Sequence, residues 1–563
     1  MEVEKLYTRK ATGLVREIGM FTAILLAICN CVGLGWQKRV FQATGWTPLG
    51  ESKYFLGIHP VVMAFFITGV IILISLYCFA MLSSAMPRSG GGYIFISRIL
   101  SPGWGFVATW LQFWSVAVSY GLIAVATLEA VWIFGGLAGL TLPPFLTTPL
   151  GLFLSGFVVV ALFSCIACFG VKLTGYLLQA MFIIPAAILV CIYVIFLMAN
   201  PTTMEAGVQA LFGAPAIQYT QAALAQGMAD KAATATYWGA VASAILAAYW
   251  AYIGYAAATF VAGEVKEAHK TLPKAMLISG VTVIFIYMTV STLMARAAQM
   301  VGVSGDFSLM SAVAFLKFGG GDWAATGLQP IGAWMPVIAA IQAAGMGLKW
   351  VMPLLVIFAA MWVANDIPPF ILTTSRMIFA MAFDRLLPRR LADVNQRWHS
   401  PINAIIFVSV VSILFGCTAE SELFSANGIK ALAFLNPIIS SAGAVTATDL
   451  WDIFFFTVCA VAAMVFPIRK PEIFAGAPFR TSKTAAITLG ALAVVGNLWL
   501  FWVIACHPRA WNLLHINSLA SATPFLFSIV LTAVGYLIYW GYRNAAKRTG
   551  VELTTIFTEL PPD

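Results

Sequence analysis

Apolar residues run through this chain in long, nearly unbroken blocks separated by short polar stretches. Each block is about 20 residues or longer, enough for a helix to cross the apolar core of a bilayer. The short alternating segments of a membrane β-barrel are not seen. About twelve such blocks can be counted, centred near residues 30, 71, 116, 158, 187, 250, 287, 364, 411, 459, 495 and 531. The pattern predicts an all-α polytopic membrane protein, and an even number of spans puts both termini on one side. Two longer connections on the outer side, about residues 200–236 and 300–349, contain Ala-rich apolar stretches that are expected to lie as interfacial helices, as lids over an outer vestibule or as plain loops.

Three interruptions fall inside these blocks. The first block carries Asn30-Cys31-Val32-Gly33-Leu34-Gly35, and the sixth carries Ala251-Tyr252-Ile253-Gly254-Tyr255-Ala256. Glycine lacks Cβ, so the backbone can leave the helix there and approach a ligand closely. Unwound backbone is tolerated at membrane depth only where it lines a cavity or is buried in protein. Paired interruptions at corresponding places of two halves point to a transporter binding site. The eighth block is interrupted by Asn365-Asp366-Ile367-Pro368-Pro369, where proline removes helix donors.

Composition narrows the class. The chain is 61% hydrophobic and 9% charged, whereas a soluble domain carries about 25% charged residues. The net charge of +9 is read through topology. Roughly 22 of the 31 Lys and Arg fall on the side of the N-terminus, which predicts that side to be cytoplasmic and the protein to sit in a cell (plasma or inner) membrane with both ends inside. No basic run suggests a nucleic-acid groove. The cysteines lie almost entirely within apolar spans; Cys165 and Cys168 form a Cys-x-x-Cys without a second pair, so no metal set is expected. No cleaved signal peptide is read at the N-terminus.

Longer motifs extend these readings. Met86-Pro87-Arg88-Ser89-Gly90-Gly91-Gly92-Tyr93, followed by Arg98 and Pro102-Gly103-Trp104-Gly105-Phe106, resembles the loop between helices 2 and 3 of the amino acid–polyamine–organocation permeases. Ala251 to Tyr255, with Ala262-Gly263-Glu264-Val265-Lys266 and Leu272-Pro273-Lys274-Ala275, is similar to their helix 6 and its exit. Ser375-Arg376-Met377-Ile378-Phe379-Ala380-Met381-Ala382, then Asp384, Leu387-Pro388 and Pro401, is similar to the end of their helix 8. The first-span motif, followed by Arg39, also resembles helix 1 of the neurotransmitter:sodium symporters. The resemblance implies a five-plus-five inverted-repeat fold with two added helices, and secondary active transport of amino acids or related amines. It divides the chain into a cytoplasmic N-terminus (1–17), a transport core of ten helices (18–470), two additional helices (471–545) and a cytoplasmic tail (546–563).

A zwitterion requires donors for its carboxylate and acceptors for its ammonium. The amides of Gly33, Leu34 and Gly35 open a half-helix, where the dipole favours an anion. The carbonyls around Cys31, Val32, Tyr252 and Ile253 are placed to receive the ammonium, next to Gly254. Tyr255 follows the glycine where the family usually has an aromatic, as a pocket wall, a thin gate or a packing residue. Gln112, Ser115 and Ser119 share one face of the third span and are candidates for substrate polarity or interhelical bonding.

Charged groups come next. By resemblance Arg39 matches the symporter arginine that closes the outer vestibule against a helix 10 carboxylate, with Asp449 and Asp452 as possible partners; interfacial snorkelling is the alternative. Glu129 is expected near the outer interface. Glu264 matches the family's Ala-Gly-Glu and is expected to pair with Arg88, Arg98, Lys266 or Arg376. Asp366, an ionisable group within a span, is a candidate proton or cation site or a structural carboxylate. Thr373 and Thr374 match hydroxyls that hold sodium between helices 1 and 8 in sodium-coupled relatives, though such hydroxyls often bond their own backbone. The helix 5 lysine of several proton-coupled relatives has no counterpart; its position falls near Pro185 or Ala186, and Lys172 comes too early. The expected function is therefore ion-coupled amino acid symport, with H⁺ or Na⁺ as coupling ion and no organic cofactor. An exchanger or sensor of the same fold is the near alternative. An intramembrane enzyme would require convergent catalytic groups, and all five His (59, 269, 399, 507 and 515) fall near span ends or in loops.

Overall fold

The computed structural model describes residues 12–141, 143–436, 440–548 and 556–561. Residues 1–11, 549–555 and 562–563, which belong to the two expected cytoplasmic ends, lie outside the described residues. Twelve helices are long and apolar enough to cross a membrane. They are α1 (Met20–Trp46), α2 (Pro60–Ala85), α3 (Pro102–Leu137), α4 (Pro149–Cys168), α5 (Val171–Leu197), α6 (Tyr237–Phe260), α7 (Ala268–Gln299), α8 (Val351–Phe383), α9 (Ile402–Glu420), α10 (Thr446–Arg469), α11 (Lys483–Cys506) and α12 (Pro524–Arg548). All twelve expected spans are present.

Local sequence sets where several of them begin. α2, α3 and α4 open on proline, whose missing N–H costs nothing in the first turn. The residue before each proline, His59, Ser101 or Thr148, accepts a hydrogen bond from a first-turn amide. Burial then sorts the bundle into an interior and a rim. In the most apolar window, 94% of α6 and 83% of α1 are buried, against 28% of α4 and 22% of α12. The two glycine-interrupted helices are therefore the centre of the protein, and α4 and α12 face lipid. Small residues permit close crossings: Gly121 of α3 packs directly on the backbone of α9 at Ser412 and Gly416.

Of the arrangements expected for the two long connections, the structure comes nearest to the lid. They do hold helices (Pro201–Phe212, Ala216–Ala225, Met228–Ala233, Leu309–Ala314 and Met335–Gly345), but these interlock over one end of the bundle instead of lying flat on an interface. Val337 to Ile341 are fully buried. Gly207 and Gly345 allow the crossing, since a Cβ on either would overlap the backbone of Ile341 or Thr203. This end is called the loop face below. The opposite end is the terminal face, because Thr12, Leu14 and Pro561 line one cavity there.

Candidate functional site

The interruptions read from the sequence are breaks in the helices. α1 splits into α1a (Met20–Cys29) and α1b (Leu34–Trp46). α6 splits into α6a (Tyr237–Tyr252) and a single turn, α6b (Ala257–Phe260). Gly254 sits at φ +97°, a backbone region that L side chains rarely adopt. The breaks face each other. The Asn30 amide Nδ2 donates to the Gly254 carbonyl at 2.9 Å, and the Cys31 thiol points at the Tyr252 carbonyl at 3.5 Å. Gly35 packs on Ala251, where a Cβ would come within 2.7 Å of the alanine methyl.

Tyr287, from the middle of α7, lies across both breaks. Its hydroxyl is 2.6 Å from the Cys31 carbonyl and 2.5 Å from the Ala251 carbonyl. One O–H thus serves two carbonyls that the helices no longer use. The Cys31 carbonyl, expected to receive an ammonium, is already engaged by this hydroxyl. Tyr287→Phe leaves both carbonyls without that donor; a loss of about 1–3 kcal/mol is expected, seen as a lower unfolding temperature with the substrate still bound, more weakly.

α8 breaks beside α1. Its halves, Val351–Ala364 and Ile367–Phe383, are separated at Asn365 and Asp366. The Asp366 carboxylate lies on Gly33, where any Cβ would overlap it. The sequence assigned the amides there to a ligand; the protein's own carboxylate stands at the start of α1b. Oδ1 of Asp366 has no hydrogen-bond partner among the described residues, nor do Asn30 Oδ1, both side-chain polar atoms of Asn365, or Thr373 Oγ1. Thr374 does not join them. Its hydroxyl donates to the Phe370 carbonyl of its own helix at 2.7 Å.

The third and tenth helices build the opposite wall. Gln112 donates to Asp452 Oδ1 at 2.7 Å, and the Tyr249 hydroxyl donates to Asp452 Oδ2 at 2.7 Å. Ser115 donates to the Thr448 carbonyl at 2.8 Å, while the Ser119 hydroxyl is buried without a partner among the described residues. Tyr255 stacks on Phe456 with ring centroids 4.4 Å apart. The pairing of Arg39 with Asp452 is not formed. Arg39 instead covers the Trp250 ring at 4.4 Å and donates to Gln42 at 2.5 Å. The reason is geometric: both Asp452 oxygens are already held by α3 and α6a, and the carboxylate nearest Arg39 on α10 is Asp449. Both Asp449 oxygens are buried without a hydrogen bond among the described residues.

Beyond this layer the loop face is open. A cavity of about 410 Å³ is lined by Lys38, Glu129, Lys317, Glu420 and Glu422, with Lys38 ion-paired to Glu129 at 2.7 Å. The terminal face is shut. Arg376 forms a two-pronged pair with Glu264, at 2.7 and 2.9 Å, with both side chains at most 1% exposed. Arg98 does not compete for Glu264, because Asp384 takes it at 2.5 and 3.0 Å, together with the Tyr93 hydroxyl at 2.7 Å. Residue 18 straps the entrance of α1 to the exit of α6, with Ile18 N–H donating to Glu264 C=O and Lys266 N–H to Ile18 C=O, both at 2.9 Å. Ile18→Pro removes the first donor, so faster opening of this face, measured as labelling of a cysteine introduced beneath it, is expected.

Two histidines could be suspected of carrying protons. His59 and His507 sit at helix ends, and burial pushes both rings down to about 4, so they stay neutral at physiological pH. Of the groups that matter here, the sequence did not single out Tyr287 or Tyr249, which lie in apolar spans without a motif; a lone hydroxyl at the centre of a span was the available signal.

A core of two facing helix breaks, closed at one end and open at the other, is a transporter's architecture, and the sequence agrees with known proteins on this. Residues 18–558 match the profile of a family described as amino acid permease. The chain belongs to that family. It is 25% identical over 417 residues to the branched-chain amino acid permease BcaP of Bacillus subtilis, covering 72% of this chain and 75% of the relative. It is 22% identical over 561 residues to the human large neutral amino acids transporter small subunit 2, covering 97% and 85%. An uncharacterized transporter of Mycobacterium tuberculosis is 24% identical over 406 residues, covering 72% and 74%. This member of the amino acid permease family is thus a multi-pass membrane transporter of amino acids and not an enzyme.

Proposed function

We propose that this permease is an ion-coupled amino acid symporter working by alternating access, with the substrate held between the breaks of α1 and α6. The observation that carries the reading is the meeting of the two breaks at the Asn30–Gly254 hydrogen bond, in the most buried part of the bundle. There the α1b amides favour a carboxylate, and carbonyls around Val32 and Ile253 suit an ammonium. Gln112, Ser115, Ser119 and Tyr255 form the side-chain wall. Arg39, Asp449 and the Tyr249–Asp452–Gln112 set act on the loop face, and Glu264–Arg376 on the terminal face. Asp366 and Thr373 are the coupling-ion groups, for a proton or sodium. The terminal face is cytoplasmic in this reading, since Arg88, Arg98, Lys266, Arg385, Arg389, Arg390 and Arg469 gather toward it. The relatives' names favour neutral, apolar amino acids as first substrates to try.

The test is a thermal-shift screen of the twenty amino acids, followed by uptake into proteoliposomes under an imposed pH or sodium gradient. A ligand at a hundred times its Kd adds about 2.7 kcal/mol. Gradient-driven accumulation supports symport; uptake only against a preloaded amino acid makes the protein an exchanger; binding without uptake makes it a sensor.

A further inference from the structure

We infer that Asp366 is a built-in stand-in for the substrate's carboxylate, and that a substrate carboxylate replaces it together with one proton. The inference rests on the reading of the α1b amides as the carboxylate site.

Three observations lead to it. First, the anion position is filled. α1b is a helix of 13 residues, and the Asp366 carboxylate sits at its start, against the bare Cα of Gly33. Second, the occupant is loosely held. Asp366 is 3% exposed, yet Oδ1 has no partner among the described residues, and both side-chain polar atoms of the adjacent Asn365 are also unpartnered there. Somewhere to turn, with donors and acceptors waiting, is therefore present. Third, among the described residues no ion pair holds it. The titratable groups that interact with it are Cys29 and Cys31 of α1 and Tyr287 of α7. The cations on the elements around it are engaged elsewhere: Lys38 of α1b with Glu129, Arg39 over Trp250, Arg376 of α8 with Glu264, and Arg98 with Asp384. Of the other helices that pack on α8, α3 carries Glu129 and Tyr120, α5 carries Lys172 at its terminal-face end with Tyr176 and Tyr193, α6 carries Tyr249, Tyr252 and Tyr255, α4 has no charged residue, and α9 has Glu420 at its end.

Two charged carboxylates do not share one helix N-terminus, because each raises the cost of the other. A substrate carboxylate that takes the start of α1b must expel the Asp366 carboxylate into an apolar bundle, where a bare charge is costly and a neutral acid is not. One proton from solution, added to an Asp366 oxygen, resolves this; no other bond is made or broken. When the substrate leaves toward the other face, Asp366 returns to the start of α1b and releases the proton there. Substrate and proton then travel in a one-to-one ratio without the lysine of helix 5. By linkage, substrate binding weakens as pH rises, up to tenfold in Kd per pH unit where the empty site holds no proton.

The experiment uses the full-length purified protein. Each of the twenty standard L-amino acids is tested singly; the strongest ligand and its decarboxylated amine are then titrated from about pH 5 to about pH 8, with proton uptake followed by an indicator dye in weak buffer. The expected result is a Kd that rises with pH for the amino acid, uptake of one proton per ligand bound, and no such dependence for the amine. Asp366→Asn is expected to bind the amino acid with pH-independent affinity and no proton uptake. Binding by the wild-type protein without proton uptake, or an Asp366→Asn variant that keeps the wild-type pH profile, overturns the inference while leaving the binding site in place. The wild-type proton count decides the matter even if the variant fails to fold. Failure of every amino acid to bind at any pH overturns the site reading as well.

Discussion

Gly254→Ala is expected to abolish transport in a protein that still folds. At φ +97° an alanine is strained by about 1–3 kcal/mol before any contact is counted. Its Cβ would also fall on the Asn30 side-chain amide and lie 2.8 Å from the Asn30 carbonyl oxygen. Asn30 must therefore swing away, which breaks its hydrogen bond to the Gly254 carbonyl and separates the two breaks. The three atoms nearest to the added Cβ all belong to Asn30, so the damage starts at the junction of α1 and α6. Uptake in proteoliposomes is expected to fall at least a hundredfold, about 2.7 kcal/mol in effective binding, while the protein still elutes as a single species on size exclusion. Retained uptake near the wild-type rate would show that the junction does not have to hold its shape.

The largest stability effect is expected at the Glu264–Arg376 pair. Both side chains are at most 1% exposed, so removing either leaves an uncompensated buried charge, at about 3–5 kcal/mol. With Glu264 replaced by alanine, Arg376 keeps the Ser375 hydroxyl at 2.9 Å and loses both carboxylate oxygens. Replacing the pair by two leucines is often neutral or better in such sites. Glu264→Ala and Arg376→Ala should therefore each lower thermal stability sharply, and the Glu264→Leu/Arg376→Leu double variant should recover most of the loss. A double variant as unstable as the singles would mean that the ions do more than neutralise each other. The same pair ties the exit of α6 to the end of α8, so single variants that do fold should open the terminal face more readily.

Much of this architecture was legible in the residues. Twelve apolar blocks are long enough to span, and the pairing of Gly33 and Gly35 with Gly254 marked the breaks because glycine tolerates the backbone they require. Glu264 was legible as an ion-pair member, although the choice of Arg376 over Arg98 depends on Asp384 being at hand, which only the packing of α8 decides. What the sequence did not display was the encounter of elements far apart in the chain. Asp366 was recognisable as a carboxylate in a span, but its seat on Gly33 comes from the approach of α8 to α1. Tyr287 carried no motif, and its role exists only because two breaks meet in front of it. Arg39 and Asp452 failed to pair for the same reason, since Gln112 and Tyr249 reach the carboxylate from two other helices. For the long connections an interfacial helix, a lid and a plain loop all stay open in the sequence, because apolar, Ala-rich sequence suits an interface and a buried cap equally well; Gly207 and Gly345 decide for the cap.

The most direct measurement is a cryo-EM map of the protein saturated with the amino acid that stabilises it most in the thermal screen. Ligand density is expected between residues 31–35 of α1 and residues 252–255 of α6, with its carboxylate at the Leu34 amide and both helices interrupted. Density confined to the vestibule beside Lys38 and Glu129, with α1 and α6 drawn into continuous helices, would contradict the account.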